Sequence, residues 1–260
     1  MPELRKKDDS AHLRGAISMR NVTAEDKLRK AIFWLCEAFA VLTFCMMLET
    51  GDLMNLLMCC VTVLLICAPG VMERLFSCKI CTPVYIFFLL YAIGPMLGYC
   101  HNLYYLTNWW DKLLHTCGGV AFALFGSYLY QHFSEQKKYG LCAVFAFCFS
   151  VTLSVLWEFF EFGADTFLGT DMQNDTVITA LNSYYLSNGL GEVGTISGIA
   201  QVIVNGTALP VAGYLDIGLI DSMLDMLLET LGALTVAVVI IMDKGTHPVI
   251  LPSSKTVERT

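Results

Sequence analysis

GLIDSMLDMLLETLGALTVAVVIIM, residues 218–242, is long and apolar enough to cross a bilayer, and it carries three acids in its opening half. A transmembrane helix needs about 20 mostly apolar residues, because each backbone polar group in hydrocarbon must be bonded within the segment. Asp221, Asp225 and Glu229 recur at four-residue steps and therefore line one helix face. Beyond Thr230 the run is apolar apart from Thr235. It reads as a membrane span with a charged entrance.

Working outward, five further runs have the same character: residues 31–48, 53–71, 83–100, 113–130 and 139–162. The composition agrees, with 56% hydrophobic and 15% charged residues and a mean hydropathy of +0.60. A soluble domain would be about one quarter charged. The expected fold class is thus an all-α integral membrane protein of about six transmembrane helices. Its parts would be a cytoplasmic segment 1–30, a membrane domain 31–242 and a cytoplasmic tail 243–260. Because a charge-rich stretch of some thirty residues precedes the first apolar run, that run is expected to be an uncleaved anchor.

Cations set the orientation. Arg5, Lys6, Lys7, Arg14, Arg20, Lys27, Arg29 and Lys30 precede the first span, Arg74 and Lys79 follow the second, and Lys137 and Lys138 follow the fourth. Lys244, Lys255 and Arg259 follow the last, whereas the alternate loops hold little besides Lys112. Both ends are therefore expected in the cytoplasm. No Lys or Arg occurs between Tyr139 and Asp243, which excludes a nucleic-acid binder, since phosphate contacts need cationic side chains. Membrane lipids are the expected partners. Tyr104, Tyr105, Trp109, Trp110, Trp157, Phe159 and Phe160 gather at span ends, as interfacial anchors do.

The outer connection 163–217 is long, and residues 193–215 carry no charge at all without being uniformly apolar. Gly194, Gly198, Gln201, Asn205, Gly206, Pro210 and Gly213 dilute them, and a seventh span would also put the tail's cations outside. A re-entrant or interfacial lid is expected instead.

With that topology, acidic residues from three spans meet at one leaflet. Asp111 and His115 open the fourth span, Glu158 and Glu161 close the fifth, and Asp221, Asp225 and Glu229 open the sixth. Each ionised carboxylate in a span costs about 2.5–3.5 kcal/mol by insertion scales, so several together demand partners, protons or a bound cation. For any one of them, interfacial solvation is the simpler reading, and Asp111 and Asp221 would complement helix dipoles. As an ensemble they are candidate catalytic residues: Asp111, His115, Glu158, Glu161, Asp221 and Asp225. Oxygen and imidazole donors suit Mg, Mn or Zn, with Asp111, His115, Glu158, Asp221 and Asp225 as candidate metal ligands. A paired-carboxylate acid–base site is the metal-free alternative.

Other features carry less. Gly94, Gly98, Gly118, Gly119, Gly126 and Gly232 read as close helix packing. Cys36, Cys45, Cys59, Cys60, Cys67, Cys142 and Cys148 read as small buried apolar residues, and Cys78/Cys81 as a lone CxxC. Glu37 stands isolated in the first span, and His101 reads as a solvated loop residue. The sequons at Asn21, Asn174 and Asn205 carry no weight alone.

Asp111-Lys112-Leu113-Leu114-His115 with Gly118-Gly119, Trp157-Glu158-Phe159-Phe160-Glu161 with Phe167-Leu168-Gly169-Thr170, and Asp221-Ser222-Met223-Leu224-Asp225-Met226 with Leu231-Gly232-Ala233-Leu234 occur in that order. Together they resemble the YjdF-like bacterial inner-membrane proteins, and more faintly the VanZ-like proteins. Ser222 stands where the YjdF-like pattern has Thr, and residues 176–215 look like an insertion. The resemblance implies a multi-pass protein of a bacterial plasma membrane with these acids as key residues. The VanZ-like association with glycopeptide resistance implies envelope or lipid work. Three functions follow as expectations: a divalent-metal-dependent enzyme acting on a lipid or envelope precursor, a carrier for a cation or basic solute, or a scaffold without chemistry.

Overall fold

The computed structural model describes residues 2–77, 79–134 and 138–243, with side chains from residue 24 onward. Cys78 of the CxxC, Lys137 and the tail cations Lys244, Lys255 and Arg259 lie outside the described residues, as do the side chains of Arg5, Lys6, Lys7, Arg14 and Arg20.

The architecture is an antiparallel bundle of long apolar helices. In chain order these are α1 (Pro2–Thr50), α2 (Leu53–Leu75), α3 (Thr82–Cys100), a single turn α4 (Leu103–Leu106), α5 (Trp110–Phe133), α6 (Tyr139–Leu168) and α7 (Leu219–Asp243). Six of them can cross a membrane among the described residues, α1 through its Ala24–Thr50 part. Five of them lie within a few residues of the runs expected from the sequence, whereas α1 starts at Pro2 and carries the helix through the charged segment ahead of the run 31–48.

Local chemistry sets the boundaries. The α1–α2 turn uses Gly51 at φ +68°, and Asp52 then caps α2 by accepting from the Met54 N–H at 2.9 Å. Helix α6 runs for 30 residues and stops at Gly169, whose φ of +68° is the left-handed conformation that ends helices.

The helices form two packed groups, α1–α2–α3 and α5–α6–α7, joined chiefly where α3 meets α5. In the first group Arg29 is buried against Glu73 at 2.6 Å and lies 3.8 Å over the Tyr85 ring. His101 is not simply solvated: its Nε2 is 3.2 Å from the Thr43 hydroxyl and its ring stacks on Phe39. Glu37 likewise has a neighbour, accepting from the Cys67 thiol at 3.6 Å. Cys36, Cys59 and Cys142 are buried, as expected, but Cys45, Cys60, Cys67 and Cys148 are exposed on the outward faces of their helices.

In the second group backbones nearly touch. A Cβ on Gly119 would lie 2.0 Å from the Glu229 carbonyl oxygen, and one on Gly232 2.3 Å from that of Thr116. These two glycines let α5 and α7 approach along the edge that carries the acids.

Between α6 and α7 the chain forms short antiparallel ladders. Strand β1 (Val177–Ile178) pairs with β6 (Tyr214–Leu215), β2 (Ala180–Ser183) with β3 (Gly194–Ser197), and β4 (Ile203–Val204) with β5 (Thr207–Ala208). Asn205 and Gly206, both at positive φ, make the tight turn between β4 and β5. Residues 193–215 thus hold strands and not a seventh helix. Open strand edges cannot face hydrocarbon, so this cap lies beyond the apolar core, over the end of the bundle where α6 finishes and α7 begins.

Candidate functional site

Beneath that cap, α5, α6 and α7 each contribute ionisable side chains. The four-residue steps work as spacing requires: Asp111 and His115 face α7 from α5, and Asp221, Asp225 and Glu229 descend α7 facing back. His115, Glu158, Glu161, Asp221, Asp225 and Glu229 are all buried, with Asp225 at 1% exposure and Glu229 at 3%. Asp111 is only partly covered. These are not headgroup-solvated residues.

Lys112 is the centre of the outer half. Its Nζ lies 2.5 Å from Asp221 Oδ1, 2.8 and 2.9 Å from the two Asp225 oxygens and 3.2 Å from Asp111 Oδ2. Read from sequence it is merely the lone cation on this face, next to Asp111. Its reach across to α7 depends on a flexible four-carbon stem, which spacing rules on α5 alone do not capture.

His115 divides the outer half from the inner. Its Nε2 is 3.5 Å from Asp111 Oδ1 and 3.8 Å from Asp225 Oδ2, and its Nδ1 is 3.7 Å from Glu229 Oε1. These separations are at or past the limit of hydrogen bonding. One donor atom each from Asp111, His115 and Asp225 falls within 4.8 Å of the others, a grouping that could hold a metal ion.

The α6 carboxylates stand apart from that triad. Glu161 accepts from Trp157 Nε1 at 2.8 Å, so this tryptophan serves the site and is more than an interfacial anchor. Trp110 is similar, donating to the Gly94 carbonyl of α3 at 3.2 Å. Neither Glu158 oxygen has a hydrogen-bond partner, although both are sealed from solvent.

The cap is tied to the site. The Asn174 N–H donates to Asp221 Oδ2 at 3.0 Å, and the Gln173 side chain donates to Ser222 Oγ at 2.5 Å. Asp165 gathers the Met172 and Gln173 amides at 2.7 and 2.8 Å, and Asp216 gathers those of Thr176 and Ile220, both at 2.8 Å. Partial burial raises the Asp216 carboxyl, but these amides outweigh it and hold the group below its ordinary 3.8. Asp171, without such donors, is pushed the other way by burial and by the neighbouring Asp175 and Asp165. None of these tethers is legible in spacing, because irregular loop backbone makes them.

The family model described as "Predicted membrane protein (DUF2238)" matches residues 31–244, most of the chain and all of the bundle from the first apolar run onward. This is the group to which the YjdF-like resemblance points, and the match does not bear on the VanZ-like likeness. No curated protein and no solved structure matches.

Proposed function

We propose a function from the premise that the chain belongs to the DUF2238 family of predicted membrane proteins: its buried centre is a divalent-metal site of an enzyme that acts on a lipid or envelope precursor. The convergence of Asp111, His115 and Asp225 carries this reading. Ligands held about 2.1 Å from one ion stand about 3–3.5 Å apart in tetrahedral or octahedral geometry. The His115–Asp111 and His115–Asp225 separations of 3.5 and 3.8 Å approach that spacing without the atoms bonding one another. Asp221 would hold Lys112 beside the ion, and Glu158 and Glu161 would stand on the facing helix as acid–base or further ligand groups.

Such an ion would polarise a phosphoryl or carbonyl oxygen, or activate water. Lys112 would face the same substrate group. A lipid phosphate approaching six carboxylates is repelled until a cation is present, so metal and substrate would bind in that order. The long α1–α3 side needs no part in the chemistry. Charge asymmetry supports placing the site toward the outer leaflet with both ends in the cytoplasm, and the YjdF-like resemblance implies that the membrane is a bacterial plasma membrane.

The carrier reading is weaker. Below Glu229, the buried face of α7 is Gly232, Ala233, Val236, Ala237 and Ile240, an apolar plug where a through-path would need polar groups.

Elemental analysis of detergent-purified chain is the test, wild type beside Asp225→Asn and His115→Ala. Near-stoichiometric Mn, Zn or Mg that both variants lose is the expected result and directs assays to lipid hydrolysis or transfer. Metal-free wild type with equally stable variants would overturn the metallo-enzyme reading.

A further inference from the structure

We propose that the inner half of the cluster is a second divalent-cation site, formed by Glu158 and Glu229 with the Ser154 hydroxyl, so that the centre is binuclear. This rests on the metal reading of the outer half and extends it. Ser154 Oγ, both Glu158 oxygens and Glu229 Oε2 are sealed from solvent and have no hydrogen-bond partner. Their residues are 1%, 5% and 3% exposed. Leaving one buried polar group unmet costs about 1–3 kcal/mol, and more for a charged one, so four such atoms together call for protons or an occupant, and an occupant serves all four. Glu161 has its tryptophan and Asp221 has Lys112 and Asn174, whereas Glu229 turns one oxygen to His115 and leaves the other unmet, and Glu158 has only the Ser222 hydroxyl near it.

Helix direction brings the orphans together. Side chains lean toward the N-terminus of their own helix, and α6 and α7 are antiparallel. Glu158 therefore leans inward from the capped end, and Glu229 leans outward toward it. Ser154 lies one turn deeper than Glu158 on the same face of α6. The Glu158 carboxylate is near the Ser222 hydroxyl and within electrostatic reach of both His115 and Glu229. On the α5 side, a Cβ at Gly118 would stand 2.9 Å from Glu229 Oε1, so glycine there leaves the carboxylate room.

Charge decides the class of occupant. Lys112 and one divalent ion neutralise Asp111, Asp221 and Asp225 completely, which leaves the charge of Glu158 and Glu229 without a cation of its own. Two carboxylates and a hydroxyl are hard oxygen donors, suited to Mg or Mn.

The test is Mn2+ binding to stripped, detergent-solubilised full-length chain, followed by equilibrium dialysis and electron paramagnetic resonance. Wild type is expected to take a second equivalent and to show spin-coupled Mn pairs. Glu158→Gln and Glu229→Gln should each keep a single uncoupled ion, and Ser154→Ala should weaken the second by about tenfold. A single equivalent in wild type, unchanged by Glu158→Gln and Glu229→Gln, overturns the inner site while the outer one stands. No Mn at all removes both.

Discussion

Lys112 occupies ground that a metal would compete for. Its ammonium contacts both oxygens of Asp225, one of the three converging donors, and holds Asp221 at the same time. Replacing it by methionine leaves two buried carboxylates facing each other. Removing one partner of a buried ion pair typically costs about 3–5 kcal/mol, so Lys112→Met should melt well below wild type when metal-free. Added Mn2+ should recover much of that loss and bind the variant more tightly than wild type. Thermal unfolding in detergent with and without metal reads both effects; a variant that Mn2+ leaves unprotected would mean that Lys112 and metal do not share Asp225. The sequence exposes the acids through their spacing because three- and four-residue steps must share a helix face. It does not expose Lys112 as their hub, since its partners on α7 are more than a hundred residues away.

At the scale of elements, the α5–α7 contact decides whether the acids meet at all. Gly119 and Gly232 bring the two backbones together, and a methyl at Gly119 would strike the Glu229 carbonyl itself. Backbone cannot yield as a side-chain tip can. Gly119→Ala should therefore push α7 off α5, with a cost of about 1–3 kcal/mol for overpacking and loss of the Asp111–His115–Asp225 convergence. Gly140→Ala is the control, because nothing lies within 4 Å of a Cβ there. Loss of bound metal and of thermal stability in the first variant but not the second is the expected pattern, and parallel behaviour of the two would remove this role from Gly119. Reading the glycines as packing residues needed only their places in apolar runs. The cap is different: its ladders are two to four residues long and its tethers run through Asp165, Asp216 and Asn174, so no periodic pattern announces it. Turn chemistry marks Asn205-Gly206, where both residues take positive φ, and Asn188-Gly189 between β2 and β3.

At the scale of the molecule, the six helices follow directly from hydrocarbon thickness and backbone hydrogen bonding, and so they are legible in the sequence to within a few residues. Their division into two groups is not, because lipid-facing and protein-facing apolar residues look alike. Exposed Trp34, Leu35, Leu64 and Phe159 belong to the same composition as buried Leu89 and Ile240. Only small or polar residues reveal the inward faces, and these concentrate on α5, α6 and α7. Helix α6 is the longest of that group, 30 residues, and a helix of that size spans about 45 Å against roughly 30 Å of hydrocarbon. It must tilt or stand clear of the membrane, and it does so with Glu158 and Glu161 near the end that the cap covers. How far those carboxylates are immersed is then governed by lipid chain length: thick bilayers draw them into hydrocarbon and thin ones release them to water. Reconstituted into short-chain and long-chain vesicles, the same chain should bind Mn2+ with different affinities, which makes the acyl composition of its surroundings a control on the site.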